Sequence, residues 1–141
     1  MIIDLLKEVS STDQLFAFIE QFAAVEAVDE QTAFHLTVAA EELFTNLVKY
    51  SRRSRKPVNL RLERKGAWLE MQMVDFDADE FDITTAQLPD LDVPIIQRKA
   101  GGMGLHLVRS FADELSYQYQ DGNSVITFRK RMEDPNVRGP A

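Results

Sequence analysis

Apolar side chains recur at helical spacing in the N-terminal third of the chain, after a short stretch, IIDLL, that predicts a strand. Ser11 and Gln14 have the spacing of a capping box and predict the start of a first helix. Asp29 is the expected cap of a second helix, from about Glu30 to Tyr50, which contains neither Gly nor Pro. The apolar stripe of the first helix comprises Leu15, Phe18, Ile19 and Phe22.

The period then changes to two residues, which is typical of half-buried strands. Apolar and polar residues alternate in VNLRLE and in AWLEMQMVD, on either side of a turn at Gly66. They alternate again in ELSYQYQ and in SVITFRKR, on either side of Asp121 and Gly122, which is a hairpin signal. The acidic segment from about Phe76 to Ala100 carries little periodicity, and loops of that length are usually functional or disordered. A further helix is expected to run to about Phe111.

Adjacent strands joined by hairpins, together with these helices, predict the α+β class. We expect a two-layer α/β sandwich, with a mixed, mostly antiparallel sheet and three main helices on one face. Residues 1–132 are expected to form one domain, and residues 133–141 are expected to form a flexible tail.

The charge balance narrows the choice of partners. The 141 residues carry a formal net charge of −7, which disfavours nonspecific attraction to nucleic acid or to an anionic membrane. A protein partner or a small ligand is therefore favoured. The absence of cysteine fits a reducing compartment, and no apolar run reaches the length of a membrane span, so a cytoplasmic location is expected.

Three features have candidate chemistry. Glu42 and Asn46 are four residues apart on the second helix, so they point the same way. A carboxylate there could accept a proton, and a carboxamide oxygen could bind Mg²⁺. The same spacing also fits a solvated helix edge.

Asp75 has the parity of the apolar residues in its strand, which aims its carboxylate at the buried face. A buried carboxylate needs a partner, such as a ligand amino group, a backbone N–H or an arginine. Alternatively, Asp75 lies just past the strand and caps a turn.

Glycines precede the last predicted helix in the stretch KAGGMGLHLV. Gly102 and Gly104 would leave unpaired N–H groups at a helix N-terminus, where an anion can bind. A flexible hinge with a plain turn explains the same residues.

The chain resembles the GHKL ATPase superfamily, and most closely its anti-sigma factor serine/threonine protein kinases. The resemblance is carried by EELFTNLVKY, Asp75 and GGMGLHLV, taken together and in this order. The resemblance covers roughly residues 3–132. It implies that Glu42 is the general base, that Asn46 is the magnesium ligand, and that Asp75 contacts the adenine amino group of ATP. Gly102 and Gly104 would then lie beside the phosphates.

By this resemblance the chain is an ATP- and Mg²⁺-dependent protein kinase of a partner-switching module. Its substrate would be a small, STAS-like anti-sigma factor antagonist, with a sigma factor as a second partner. The resemblance also implies a homodimer, which no residue pattern indicates.

One departure leaves an alternative open. The family pattern D-x-G-x-G is replaced here by Asp75, Asp77 and Asp79, and carboxylates at the glycine positions would crowd and repel the nucleotide. The alternative is a regulatory binding module with the same fold and weak or lost nucleotide binding.

Overall fold

A computed structural model describes residues 1–84 and 105–132 of the chain. Its five strands form one sheet in the order β1-β2-β3-β5-β4, and every neighbouring pair is antiparallel. The strands are β1 (Ile2–Leu5), β2 (Val58–Lys65), β3 (Trp68–Asp75), β4 (Glu114–Gln120) and β5 (Asn123–Arg131). The expected element order and the α+β class are confirmed.

Two long helices, α1 (Thr12–Val25) and α2 (Glu30–Tyr50), precede β2. Residues 105–111 form a third helix, α3. Asp29 caps α2 as expected, because its carboxylate accepts the Thr32 N–H at 3.0 Å. The predicted bounds of α2 are therefore confirmed at both ends.

The capping box predicted at Ser11 is wrong. Ser11 ends a short 3₁₀ helix (Val9–Ser11), and its side chain makes no capping hydrogen bond. Its backbone is already helical, with φ −72° and ψ −8°, whereas a capping side chain requires an extended residue at that position. Ser11 is buried instead, and Thr12 Oγ1 donates to the Val9 carbonyl at 2.9 Å.

The sheet alternates as its sequence predicts. On β3 the buried positions are every second residue and end at Asp75, while the residues between them are only partly buried. The buried side of the sheet and the apolar stripes of the three helices form one core. Its largest fully buried side chains include Phe22, Phe44, Phe128, Leu15, Leu36, Leu43, Leu60 and Leu69.

The predicted hairpin between β4 and β5 is confirmed. Asp121 and Gly122 have φ values of 53° and 81°, and two consecutive positive φ angles match the twist of a tight antiparallel hairpin. This turn lies beside the loop that follows β3, because the Ala78 N–H donates to the Gly122 carbonyl at 2.8 Å.

Only residues 76–84 of the expected long loop are described, and they form neither helix nor strand. The rest of that loop, the glycines at 102 and 104 and the expected tail at 133–141 lie outside the described residues. Among the helices of the described ranges, none combines the length and apolarity needed to cross a bilayer.

Candidate functional site

Glu42 and Asn46 meet on one side of α2, as their spacing predicts. Asn46 is buried, with 2% of its surface exposed, and Glu42 is partly buried beside it. The Asn46 carboxamide Nδ2 donates to Glu42 Oε1 over 3.4 Å, a long hydrogen bond. The helix therefore holds a carboxylate and a carboxamide side by side, which differs from the solvated helix edge that the spacing also allowed.

Burial raises the pKa of the Glu42 carboxyl above its ordinary value. The hydrogen bond from Asn46 and the nearby charge of Lys49 oppose that shift, whereas the charge of Glu41 adds to it. A raised pKa makes a carboxylate a stronger proton acceptor, which is the property required of a general base.

Asp75 points into the protein, and its partner is a lysine that the sequence reasoning missed. Lys7 Nζ lies 2.7 Å from Asp75 Oδ1, and the two side chains are 0% and 1% exposed. Asp75 Oδ2 accepts a short hydrogen bond from the hydroxyl of Ser51. Both carboxylate oxygens thus have donors from this chain, and Asp75 does not cap a turn past the strand.

Lys7 also bonds the segment that follows α2. Its ammonium donates to Ser51 Oγ and to the Ser54 carbonyl, each at 3.2 Å. An ammonium has three donors, so Lys7 uses all of them inside the protein. No sequence signal identified Lys7 as the partner, because a lone lysine after a strand is ordinarily solvated and Asp75 is 68 residues away.

The carboxylates that replace the expected glycines are also paired with cations. Lys56 contacts Asp77 closely, and Arg53 Nη1 lies 3.0 Å from Asp79 Oδ1. The hydrogen bond from Lys56 lowers the pKa of the Asp77 carboxyl. These pairs are exposed by 60% or more, so they contribute little to stability, but they offset the negative charge that the sequence suggested would repel phosphates.

Both cations come from a basic loop, residues 52–56, in which four of five residues are Arg or Lys. This cluster in an acidic chain was the signal that sequence reasoning passed over. An open cleft of about 700 Å³ lies beside it, lined by Arg53, Ser54, Arg55, Lys56 and Asp77.

The backbone at Asp77 keeps a glycine-like conformation, with φ 52°. Aspartate tolerates this left-handed region better than most residues. The Asp77 N–H donates to Asn123 Oδ1 at 3.1 Å, and Tyr119 donates its hydroxyl to the Ala78 carbonyl at 2.7 Å. The β4–β5 hairpin therefore holds the loop after β3 in its bend.

The helix α3 is tied to both the loop and α2. Arg109 donates from Nε and Nη2 to the Thr84 carbonyl, at 2.9 and 2.5 Å. The ring of Phe111 stacks on His35 of α2. Within the described ranges, no three His, Cys, Asp or Glu side chains come together as metal ligands.

Sequence comparison matches residues 6–130 to the model of the histidine kinase-like ATPase domain family. The serine/threonine-protein kinase BtrW of Bordetella bronchiseptica is 30% identical over 120 residues. That alignment covers 84% of this chain and 83% of BtrW.

Two solved structures share the fold. The RsbU and RsbW domains of Rv1364c from Mycobacterium tuberculosis match with a TM-score of 0.69 and 13% identity, over 96% of this chain and 33% of that one. This chain thus spans about a third of that protein. A chain of the SiaB–SiaC complex from Pseudomonas aeruginosa matches with a TM-score of 0.60 and 13% identity. The match covers 92% of this chain and 88% of that one.

Proposed function

The chain belongs to the histidine kinase-like ATPase domain family, and on that premise we propose that it is an ATP- and Mg²⁺-dependent serine/threonine protein kinase. We propose further that it acts in a partner-switching module in the cytoplasm. The similarity to BtrW, a named serine/threonine kinase of nearly the same extent, supports this choice over other activities of the family.

Glu42 and Asn46 give the proposal its main structural support. A partly buried carboxylate with a raised pKa lies beside a buried carboxamide on a rigid helix. Phosphoryl transfer depends mostly on positioning and charge neutralisation, so few protein groups are needed. Glu42 would accept the proton of the incoming serine hydroxyl as its oxygen bonds to phosphorus and ADP leaves.

The phosphate half of the proposed site has residues whose chemistry suits ATP and magnesium, because a proton acceptor lies beside a carboxamide. Bound Mg²⁺-ATP supplies the phosphoryl group, and the metal offsets the charge on the phosphates. The Asn46 carboxamide oxygen would bind the ion, which usually takes its remaining ligands from phosphates and water. Gly102 and Gly104, which the structure does not describe, would contribute backbone N–H groups.

The end of the proposed site that would bind adenine differs from the expected arrangement. Asp75 is proposed to face the adenine amino group, yet its two oxygens already accept hydrogen bonds from Lys7 and Ser51. The residue types at Glu42 and Asn46 therefore support ATP and Mg²⁺ as ligands, whereas Asp75 is already bonded within the chain.

The proposed substrate is a small, STAS-like anti-sigma factor antagonist that is phosphorylated on a serine or threonine. A sigma factor is the proposed second partner, and the chain is proposed to act as a homodimer. The structural neighbours include an RsbW domain and a SiaB–SiaC complex, which support a protein partner for this chain.

The decisive experiment is to incubate the purified chain with Mg²⁺-ATP and a purified STAS-like protein that binds it. Phosphate on an antagonist serine or threonine, detected by mass spectrometry, is the expected result. The Glu42→Gln variant should abolish it, and Glu41→Gln, a change at the exposed neighbour, should not. An antagonist that binds but remains unmodified would overturn the kinase assignment.

A regulatory binding module is the second candidate, and the burial of Asp75 favours it. The Asp75 carboxylate, proposed to bind the base, is 1% exposed and so is poorly accessible to a ligand. Calorimetric titration separates the two candidates. Absent or millimolar binding of ATP to the unaltered chain, together with retained antagonist binding, would favour the module.

A further inference from the structure

Lys7, Asp75 and Ser51 form a closed ring of hydrogen bonds at the end of β3. Lys7 donates to Asp75 and Ser51, and Ser51 donates to the second oxygen of Asp75. Its ion pair is excluded from water, because the side chains of Lys7 and Asp75 are 0% and 1% exposed, while Ser51 is only partly buried. A ligand could therefore reach the Asp75 carboxylate only by opening the ring.

Opening it for a neutral amino group is unfavourable. A carboxylate bonded to an ammonium would exchange an ion pair for a hydrogen bond with a neutral donor, which is weaker. The Lys7 ammonium would at the same time be left buried without its counter-ion, which is among the most destabilising changes a protein interior can undergo. The carboxylate therefore retains Lys7.

We propose that Lys7 takes the position of the nucleotide's exocyclic amino group at Asp75, so that this chain binds purine nucleotides without reading that group. This inference rests on the proposed function, because it assumes that Asp75 lies at the base end of the nucleotide site. It makes Lys7 the residue that removes discrimination by the amino group of the base, and it assigns Asp75 to holding Lys7.

The neighbouring ion pairs show why the effect belongs to Lys7. The loop after β3 also forms two ion pairs, Asp77 with Lys56 and Asp79 with Arg53. The side chains of these pairs are 60–71% exposed. Water competes for those charges, so a ligand can displace them at small cost. Lys56 is therefore a matched control for Lys7, with the same chemistry on the surface.

The test compares ATP with purine riboside triphosphate, which has a hydrogen atom in place of the amino group of adenine. Isothermal titration of the unaltered chain with each nucleotide in excess Mg²⁺ should give Kd values within about twofold of each other. In the Lys7→Met variant, Asp75 becomes available, and ATP should bind about tenfold or more tightly than its analogue, the worth of one hydrogen bond to a charged group.

Thermal unfolding supplies a second measurement. Lys7→Met should lower Tm, and ATP should restore more of the loss than purine riboside triphosphate does. Lys56→Met should leave the ratio of the two affinities unchanged. If Lys7→Met does not fold, the comparison on the unaltered chain still decides the question.

The outcomes separate this inference from the kinase proposal. A tenfold preference of the unaltered chain for ATP would overturn the role of Lys7 and leave the kinase proposal standing. Equal affinities of the unaltered chain for the two nucleotides, without phosphorylation of the antagonist, would support the inference and contradict the kinase proposal. If neither nucleotide binds the unaltered chain or the Lys7→Met variant, both the inference and the kinase proposal are overturned.

Discussion

The imidazole ring of His35 stacks on the phenyl ring of Phe111, with 3.9 Å between ring centroids and 12° between ring planes. This contact joins α2, which carries the proposed base, to α3. Nδ1 of His35 is buried and has no hydrogen-bond partner within residues 1–84 and 105–132. Burial and, secondly, the charge of Lys130 lower the pKa of His35, while Asp29 opposes them.

His35 should make the protein sensitive to mild acid. Because its pKa in the folded state lies below the ordinary value of 6.5, the neutral ring contributes stability that is full above that pH and is lost as the pH falls through the folded pKa. His35→Phe keeps a stacked ring and cannot be protonated. Its Tm should therefore fall less than that of the unaltered chain between pH 7 and pH 5.

His106→Gln provides the control, because His106 is the other histidine of the chain and is exposed. That variant should retain the full loss of Tm in acid. Equal acid sensitivity of the His35→Phe variant and the unaltered chain would show that the stacked ring is not the sensor.

Glu42→Gln should remove activity and add stability. General-base catalysis is worth about 100-fold or more, so kinase turnover should fall by at least that factor. The pKa of Glu42 in the folded state is raised, so its contribution to stability is present below the ordinary value of 4.5 and is lost as the pH rises through the folded pKa. Replacing it should stabilise the protein at pH 8 by about 1 kcal/mol or less, and barely at pH 4.

Chemical denaturation at the two pH values measures the stability difference. Glu41→Gln, at the exposed neighbour, removes only the smallest cause of the Glu42 pKa shift, so it should change the denaturation midpoint and turnover much less. A Glu42→Gln variant that is no more stable at pH 8 than at pH 4, relative to the unaltered chain, would contradict the desolvation of this carboxylate.

Asp77→Gly should stabilise the protein. A non-glycine residue with positive φ stores up to about 1–3 kcal/mol of strain, of which aspartate has the smaller share, and glycine releases it. The change also removes a carboxylate from the cleft beside the basic loop, so affinity for ATP should rise, and this rise should shrink as salt is added.

Asp121→Gly separates strain from charge. Asp121 has φ 53°, nearly the angle of Asp77, but it lies in the β4–β5 turn and lines no part of that cleft. Both substitutions should raise Tm to a similar extent, whereas only Asp77→Gly should alter the titration with ATP. An equal gain in affinity from both would point to a general change in net charge.

Ser51→Ala should destabilise the fold by about 1–3 kcal/mol, because it leaves an oxygen of the buried Asp75 carboxylate without its donor. Ser110→Ala is the matched control, since Ser110 is exposed and donates to the His106 carbonyl within a single turn of α3. Urea denaturation of both variants measures the difference. A loss at Ser51 no larger than that at Ser110 would mean that Asp75 is satisfied by Lys7 alone.

Local periodicity was enough to predict the elements that carry the site. The spacing of polar and apolar residues placed Glu42 and Asn46 together on α2 and turned Asp75 inward, because both patterns repeat over many residues. The Ser11 cap failed because the 3₁₀ turn before α1 leaves Ser11 in a helical conformation, whereas a capping residue must be extended.

The cations that pair with Asp75, Asp77 and Asp79 could not be predicted from local periodicity. Lys7 reaches Asp75 only through the pairing of β1, β2 and β3, and no local signal records which cation a fold brings to a given carboxylate. The roles of Gly102 and Gly104 remain predictions, since these residues lie outside the described ranges. The basic loop was visible as a charge cluster, but its contacts with Asp77 and Asp79 depend on the tertiary fold.

The bend at Asp77 has a consequence for how chains of this kind are recognised. A search by residue letters for aspartate followed by spaced glycines would discard this sequence, although its main chain takes the left-handed turn at that position. Asparagine and aspartate are the residues other than glycine that most readily adopt that turn. A signature written as a sequence of backbone torsions, with those two residues admitted beside glycine, would retrieve divergent members that a glycine pattern overlooks.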